Sequence, residues 1–184
     1  MKLNKLRLIG NSLIVLAVMG SLWLIYPFIK EEWRYRFGQT QEVTNSYRLI
    51  IPAIKVQAPV IAGVDPFNQI EYRQALTQGI AQAKGTALPG EMGTQYLFAH
   101  SSDNPWQLTR YNTAFYRLPK LKMGDEIDIN YQGQTYAYQV REIKTVKPWE
   151  VKYLTESQTN QLILQTCTPI GTDWNRLLVF ADPV

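Results

Sequence analysis

The sequence predicts a small, mainly β domain, a barrel or a sandwich, carried behind one N-terminal membrane helix. Three observations predict it. Short β-type runs separated by turn residues follow Tyr47; an uncharged segment of 22 residues runs from Leu8 to Ile29; and 184 residues leave room for one domain and an appendage.

The N-terminal segment comes first. About 20 apolar residues cross a bilayer core as a helix, so Leu8 to Ile29 reads as a span. A cleaved signal peptide would also begin with a short basic region, but its apolar core is shorter, roughly 7–15 residues, and ends at a small-x-small site. No such site follows here. Trp23, Tyr26 and Trp33 suit the membrane interface at the far end. The expected organisation is an uncleaved signal anchor over 1–29 (span 8–29), a polar juxtamembrane spacer over 30–46 and a β domain over 47–184. That domain would stand on the extracytoplasmic side of the cell membrane.

The β runs follow in order. Arg48 to Ile51 ends at Pro52, and Pro59 to Ala62 ends at Gly63. Gln95 to Ala99 follows the turn-rich Pro89-Gly90-Glu91-Met92-Gly93. Glu126 to Tyr131 alternates with period two and joins Thr135 to Val140 through Gln132-Gly133-Gln134, a hairpin signature. Gln161 to Thr166 and Leu177 to Phe180 finish the set. Short helices are expected at Ile70–Gln78 and Thr155–Asn160. Asn104 to Leu118 is a long connection, and long loops in compact domains are often functional, so it is a candidate wall for a groove.

Charge excludes one class of partner. Of 19 Lys and Arg, six lie in the first 36 residues; of 15 Asp and Glu, two do, leaving thirteen of each beyond. The whole net charge of +4 therefore flanks the apolar segment, and the neutral remainder has no electrostatic footprint for nucleic acid. One cysteine, Cys167, and one histidine, His100, exclude an internal disulfide and a Cys/His zinc cage, which needs four ligands. No acidic cluster has the spacing of a calcium loop, so no metal or cofactor is predicted and calcium dependence stays open.

Three residues carry chemistry. Cys167 stands at a strand end, before the tight turn Thr168-Pro169-Ile170-Gly171, and Arg176 opens the next strand nine residues later. If those strands pair, the guanidinium lies beside the thiol. His100 ends another β run. A thiolate is a nucleophile, a histidine can protonate a leaving amine, and arginine's fork of donors suits an oxyanion. Cys, His and Arg form an acyl-transfer set without a metal. Taken singly, each is an ordinary residue: a small buried hydrophobe, a satisfied imidazole, a solvated cation.

The motifs weigh the balance. Ile163-Leu164-Gln165-Thr166-Cys167 resembles the T-L-x-T-C signature of the sortase family. Cys167-Thr168-Pro169-Ile170-Gly171 through Arg176-Leu177-Leu178-Val179 resembles the C-T-P-x-G…R-L-L-V of class B and C type members. Ile51-Pro52-Ala53-Ile54-Lys55-Val56-Gln57-Ala58-Pro59-Val60 is similar to the family's opening strands. Gly85-Thr86-Ala87-Leu88-Pro89-Gly90-Glu91 with Phe98-Ala99-His100 is similar to its G-T-x-x-P-G-E…G-H stretch, and Leu121-Lys122-Met123-Gly124-Asp125-Glu126-Ile127 to its L-x-x-G-D-x-I. The resemblance implies an eight-stranded sortase β-barrel with Cys167 as nucleophile, His100 as general acid and base, Arg176 supporting substrate and oxyanion, and Thr166 helping the oxyanion site. It also implies cleavage of an LPxTG-like sorting signal at a Thr–Gly type bond through a thioester. An amine of a cell-wall precursor or a pilin lysine then resolves it. The partners so implied are sorting-signal-bearing surface proteins or pilins, the acceptor amine and the membrane.

The chain departs from the family pattern in places. Ile163 replaces the motif threonine, Ala99 the glycine before the histidine, and Gln82 a second, non-catalytic histidine found in many members. Asp65-Pro66-Phe67 is similar to the lid motif of pilin-polymerising class C enzymes but lies after the first strands rather than before the barrel, and reads as an ordinary turn. The class stays open. Two other functions remain: a thiol hydrolase that releases the peptide to water, and an anchored barrel that binds peptide without turning it over.

Overall fold

A computed structural model describes residues 11–21, 25–26, 29–30, 47–101, 114–155 and 159–184. The chain divides into two compact units, Met1–Gly38 and Gln39–Val184. In the first, residues 11–21 are helical with every side chain exposed. Ser21 donates its hydroxyl to the Ala17 carbonyl at 2.9 Å, which satisfies it within the helix. No helix among the described residues is long and apolar enough to cross a membrane. The expected span over 8–29 includes residues 8–10, 22–24 and 27–28, which lie outside the described residues. So do 31–46 of the spacer, 104–113 of the long connection and 156–158 of the second expected helix.

In the second unit the described residues form eight strands: β1 (Arg48–Ile51), β2 (Val56–Val64), β3 (Ile80–Ala83), β4 (Thr94–Phe98), β5 (Glu126–Tyr131), β6 (Gln134–Val146), β7 (Gln161–Thr168) and β8 (Asn175–Pro183). They close into a barrel in the order β1-β2-β3-β4-β7-β8-β6-β5. The pairing of β1 with β5, Leu49 opposite Ile129, completes the ring and excludes the sandwich. Closure also removes the free edges on which a small sheet would aggregate.

Alternation along each strand fills the interior. Leu49, Ile51, Leu97, Ile127, Ile129, Leu162, Leu164 and Val179 are buried there. Gln95 enters the core with partners: it donates to the Tyr47 hydroxyl at 2.6 Å and accepts from the Tyr138 hydroxyl at 3.3 Å. Burial of this kind costs little when each group is hydrogen-bonded.

Two pairings are parallel. β2 runs alongside β3, with Val60 opposite Ile80, and β4 alongside β7. The crossover from β2 to β3 passes through helix α1 (Gln69–Gln78). Asn68 caps it, accepting from the Ile70 and Glu71 amides at 3.1 and 3.3 Å. Its inner side buries Ala75 and Leu76. The helix leaves through Gly79, where a Cβ would come within 2.3 Å of the Pro59 carbonyl oxygen, so only glycine allows β2 and the helix end to meet.

The differences from expectation are physical. β3 carries no sequence signal, because Ile80, Ala81, Gln82 and Ala83 are all buried and show no alternation. β6 runs to Val146, well past the expected Val140. Its register shifts between Val140 and Glu142, so the period-two pattern breaks where the strand continues. Of the expected helix at Thr155–Asn160, Thr155 ends a one-turn helix, α2 (Lys152–Thr155), and Thr159 and Asn160 lie outside any helix. Asp65-Pro66-Phe67 is a turn as expected: the Phe67 amide donates to the Asp65 carboxylate at 2.9 Å, leading into α1.

Candidate active site

The register places the three sequence-identified residues together on one wall of the barrel. β7 and β8 are antiparallel, with Cys167 directly opposite Arg176. Directly opposed residues project to the same face with Cβ atoms about 4.5–5.5 Å apart. Leu164 and Val179 are opposed and buried in the interior. Three residues on, Cys167 therefore projects from the outer face of the wall.

His100 comes from the other side of β7. In the parallel β4–β7 ladder Phe98 stands opposite Gln165, and two residues further along each chain stand His100 and Cys167. The ladder continues past the last paired residue, since the Ala99 amide donates to the Gln165 carbonyl at 3.1 Å. His100 is held in turn at its own carbonyl, which accepts from the Phe115 amide at 3.2 Å. β7 thus lies between the strands bearing His100 and Arg176, with the thiol on the middle strand.

Side chains stitch the seam on both faces. On the outer face Tyr96 donates its hydroxyl to the Gln165 amide oxygen at 2.6 Å. On the inner face Thr166, only 1% exposed, donates to the Ala99 carbonyl at 2.9 Å. Thr166 is adjacent to Cys167 and so points the opposite way along the strand. Its hydroxyl is committed to the residue immediately before His100.

Arg176 is oriented by its own turn. One guanidinium nitrogen donates to the carbonyls of Asp173 and Asn175 at 3.0 and 3.3 Å. The turn itself passes through a cis Thr168–Pro169 peptide and Gly171 at φ 84°, a left-handed conformation that favours glycine.

The electrostatics of the thiol follow from its surroundings. Burial pushes the Cys167 thiol up, the positive charge of Arg176 pulls it down, and the Asp173 carboxylate pushes it up again. Burial also raises the Tyr96 phenol, and Arg176 opposes that shift too. The net effect on Cys167 is upward, which favours the protonated thiol.

Asp173 is a residue the sequence reading did not single out. Its signal was its place three residues before Arg176, inside the turn that follows the cysteine. Asp173→Asn removes a charge that disfavours the thiolate, so the thiol should titrate at lower pH. Alkylation by iodoacetamide near neutral pH should then rise about two- to fivefold at low salt, the range of an exposed charge pair. A profile that stays in place or moves to higher pH would show that the carboxylate does not act on the sulfur.

Gln82, at the position of the absent second histidine, is 2% exposed and structural. It donates to the Thr86 and Ala87 carbonyls at 3.0 and 3.2 Å and accepts from the Gly63 amide at 3.3 Å. It ties the connection after β3 back to the end of β2.

Comparison with known proteins agrees with the barrel fold. A family model described as Sortase domain matches residues 49–184. Among solved structures, the chain is 32% identical to a lid mutant of sortase A from Corynebacterium diphtheriae, covering 80% of this chain and 74% of that one at a TM-score of 0.62. It is 33% identical to sortase C-1 from Actinomyces oris, covering 77% and 76% at a TM-score of 0.63. For sortase C1 from Streptococcus agalactiae the identity is 30%, with 78% and 69% covered and a TM-score of 0.63. No curated protein matches. The neighbours include both class A and class C enzymes, so they leave the class open, as the motifs do. By the domain match, the barrel and these relatives together, the chain belongs to the sortase family.

Proposed function

We propose that this chain is a membrane-anchored cysteine transpeptidase that cleaves a sorting signal and transfers its acyl half to an amine. The observation that carries the reading is the placement of Cys167 on the strand between those bearing His100 and Arg176.

The chemistry then runs in two halves. The Cys167 sulfur, its proton passed to His100, attacks the carbonyl carbon of a Thr–Gly type bond. Negative charge gathers on the carbonyl oxygen, where the free donors of Arg176 stabilise it. Thr166 supports this arrangement from behind, through its bond to the Ala99 carbonyl. The C–N bond breaks as His100 returns the proton to the departing amine, leaving a thioester on Cys167. In the second half an acceptor amine, from a cell-wall precursor or a pilin lysine, gives a proton to His100. It attacks the thioester, and the thiol is restored as the new amide forms.

An anchor over 8–29 would hold the barrel at the extracytoplasmic face, where sorting substrates and lipid-linked acceptors meet. Confinement there raises effective concentration without altering the chemistry. The exposed apolar side chains of Leu13, Ile14, Val15, Leu16 and Val18 along the N-terminal helix support that reading. In intact cells, external protease should reach the barrel; digestion only after lysis would overturn the orientation and leave the thiol chemistry standing.

The decisive experiment incubates the protein with a library of LPxTG-type peptides, with and without an added amine, and analyses products by mass spectrometry. The expected result is an acyl adduct on Cys167 and an amide product that needs the amine. Hydrolysis at the same rate regardless of amine would make the chain a thiol hydrolase. Peptide binding with no adduct would make it a silent receptor.

A further inference from the structure

The crossover helix carries a side chain that reaches the catalytic wall. Tyr72 lies one turn before Ala75 and Leu76, which anchor α1 in the core. Its ring stacks on Phe98 with centroids 5.3 Å apart and planes 8° from parallel. The same ring meets the His100 imidazole at 5.8 Å and 83°. Phe98 and His100 are two residues apart on one chain and share a face, so one tyrosine spans both.

Both ends of this contact are fixed. Phe98 is 2% exposed, and α1 is held at its start by the Asn68 cap and by Glu71, whose carboxylate accepts from the Asp65 amide at 3.1 Å. Near-parallel and near-perpendicular stacking at these separations are the favoured aromatic geometries. His100 sits two residues past the end of β4, with its carbonyl accepting from the Phe115 amide. A ring contact of this kind sets the plane of the imidazole, and with it the direction in which its nitrogens face.

We propose that Tyr72 is a positioning residue that fixes the plane of the His100 imidazole through ring contact. Its phenol hydroxyl is not required for that role. The proposal rests on His100 serving as the proton carrier of the transpeptidase reading, and it extends the site to a helix that none of the recognised motifs includes. A misplacement of about 1 Å in a catalytic group can cost on the order of 100-fold in rate.

The test compares Tyr72→Phe, which keeps the ring, with Tyr72→Leu, which removes it while keeping an apolar side chain. Cleavage of a quenched LPxTG-type peptide gives kcat and KM. His100 is the sole histidine, so a histidine-labelled sample reports one imidazole by NMR without ambiguity. The Phe variant should stay within about twofold of wild type in both measurements. The Leu variant should lose about 10- to 100-fold in kcat with KM nearly unchanged. Its His100 ring resonances should also move as the neighbouring ring current disappears. Wild-type kcat in Tyr72→Leu, or unmoved His100 resonances, would overturn the proposal, as would a tenfold loss in Tyr72→Phe. If Tyr72→Leu does not fold, Tyr72→Met takes its place under the same criteria, filling the gap with a flexible apolar chain. The resonance measurement needs no substrate, so it stands even if the peptide reading of the site fails.

Discussion

Cys167→Ala is expected to lower peptide cleavage by at least about a thousandfold, because removal of a nucleophile closes the covalent route altogether. The fold should survive. Cys167 is only partly buried, and losing one sulfur at the outer face of β7 leaves the inward Leu162, Leu164 and Thr166 in place. The stability change should stay within about 1 kcal/mol, the ordinary range for a substitution away from the packed interior. Mass spectrometry of the variant with peptide should show no adduct, and thermal melting should match wild type closely. Cleavage above about one per cent of the wild-type rate would mean that the sulfur is a bystander.

Arg176→Lys separates two roles that a simple deletion would merge. A lysine keeps the positive charge that favours the thiolate, so iodoacetamide alkylation should change by no more than about threefold. It cannot reproduce a planar fork with one edge held by the Asp173 and Asn175 carbonyls and the remaining donors directed elsewhere. Turnover should therefore fall on the order of 100- to 1000-fold, the cost of one oxyanion-type donor. Turnover within threefold of wild type would reduce Arg176 to a charge near the sulfur. Equal losses in alkylation and turnover would assign its whole effect to the thiolate.

How much of this was legible in the sequence depended on distance along the chain. Cys167 and Arg176 face one another through a short turn, and the spacing alone suggested their pairing before register confirmed it. His100 is different. It meets β7 through a parallel pairing, and no local pattern announces which distant strand a β run will join. Only the order of the family's motifs tied it to the thiol. The inward hydroxyl of Thr166 was likewise out of reach, because its bond to Ala99 exists only once β4 and β7 are side by side. The contact of Tyr72 with His100 joins a helix to a strand end and leaves no periodic trace.

The elements themselves obeyed the same rule. The alternating β5 was readable at its full extent, and its hairpin with β6 was readable at the turn. β3 was not, because a strand buried along its whole length loses the period-two contrast. Residues alone left a barrel and a sandwich equally open, since both use short alternating strands. What decided between them was the pairing of β1 with β5, a contact between strands some 80 residues apart.

The two halves of the site assemble on unequal terms during folding. The Cys167–Arg176 hairpin closes a loop of a few residues, an inexpensive step that local structure can complete on its own. Bringing His100 to the same sulfur requires a loop of more than 60 residues to close and a parallel ladder to register along five pairs. A partly folded chain can therefore hold Cys167 beside Arg176 while lacking His100. Such a species would react with small electrophiles yet turn over no peptide. On the transpeptidase reading, barrel closure would then be the step that completes the site, and turnover would report completed topology where simple thiol chemistry does not.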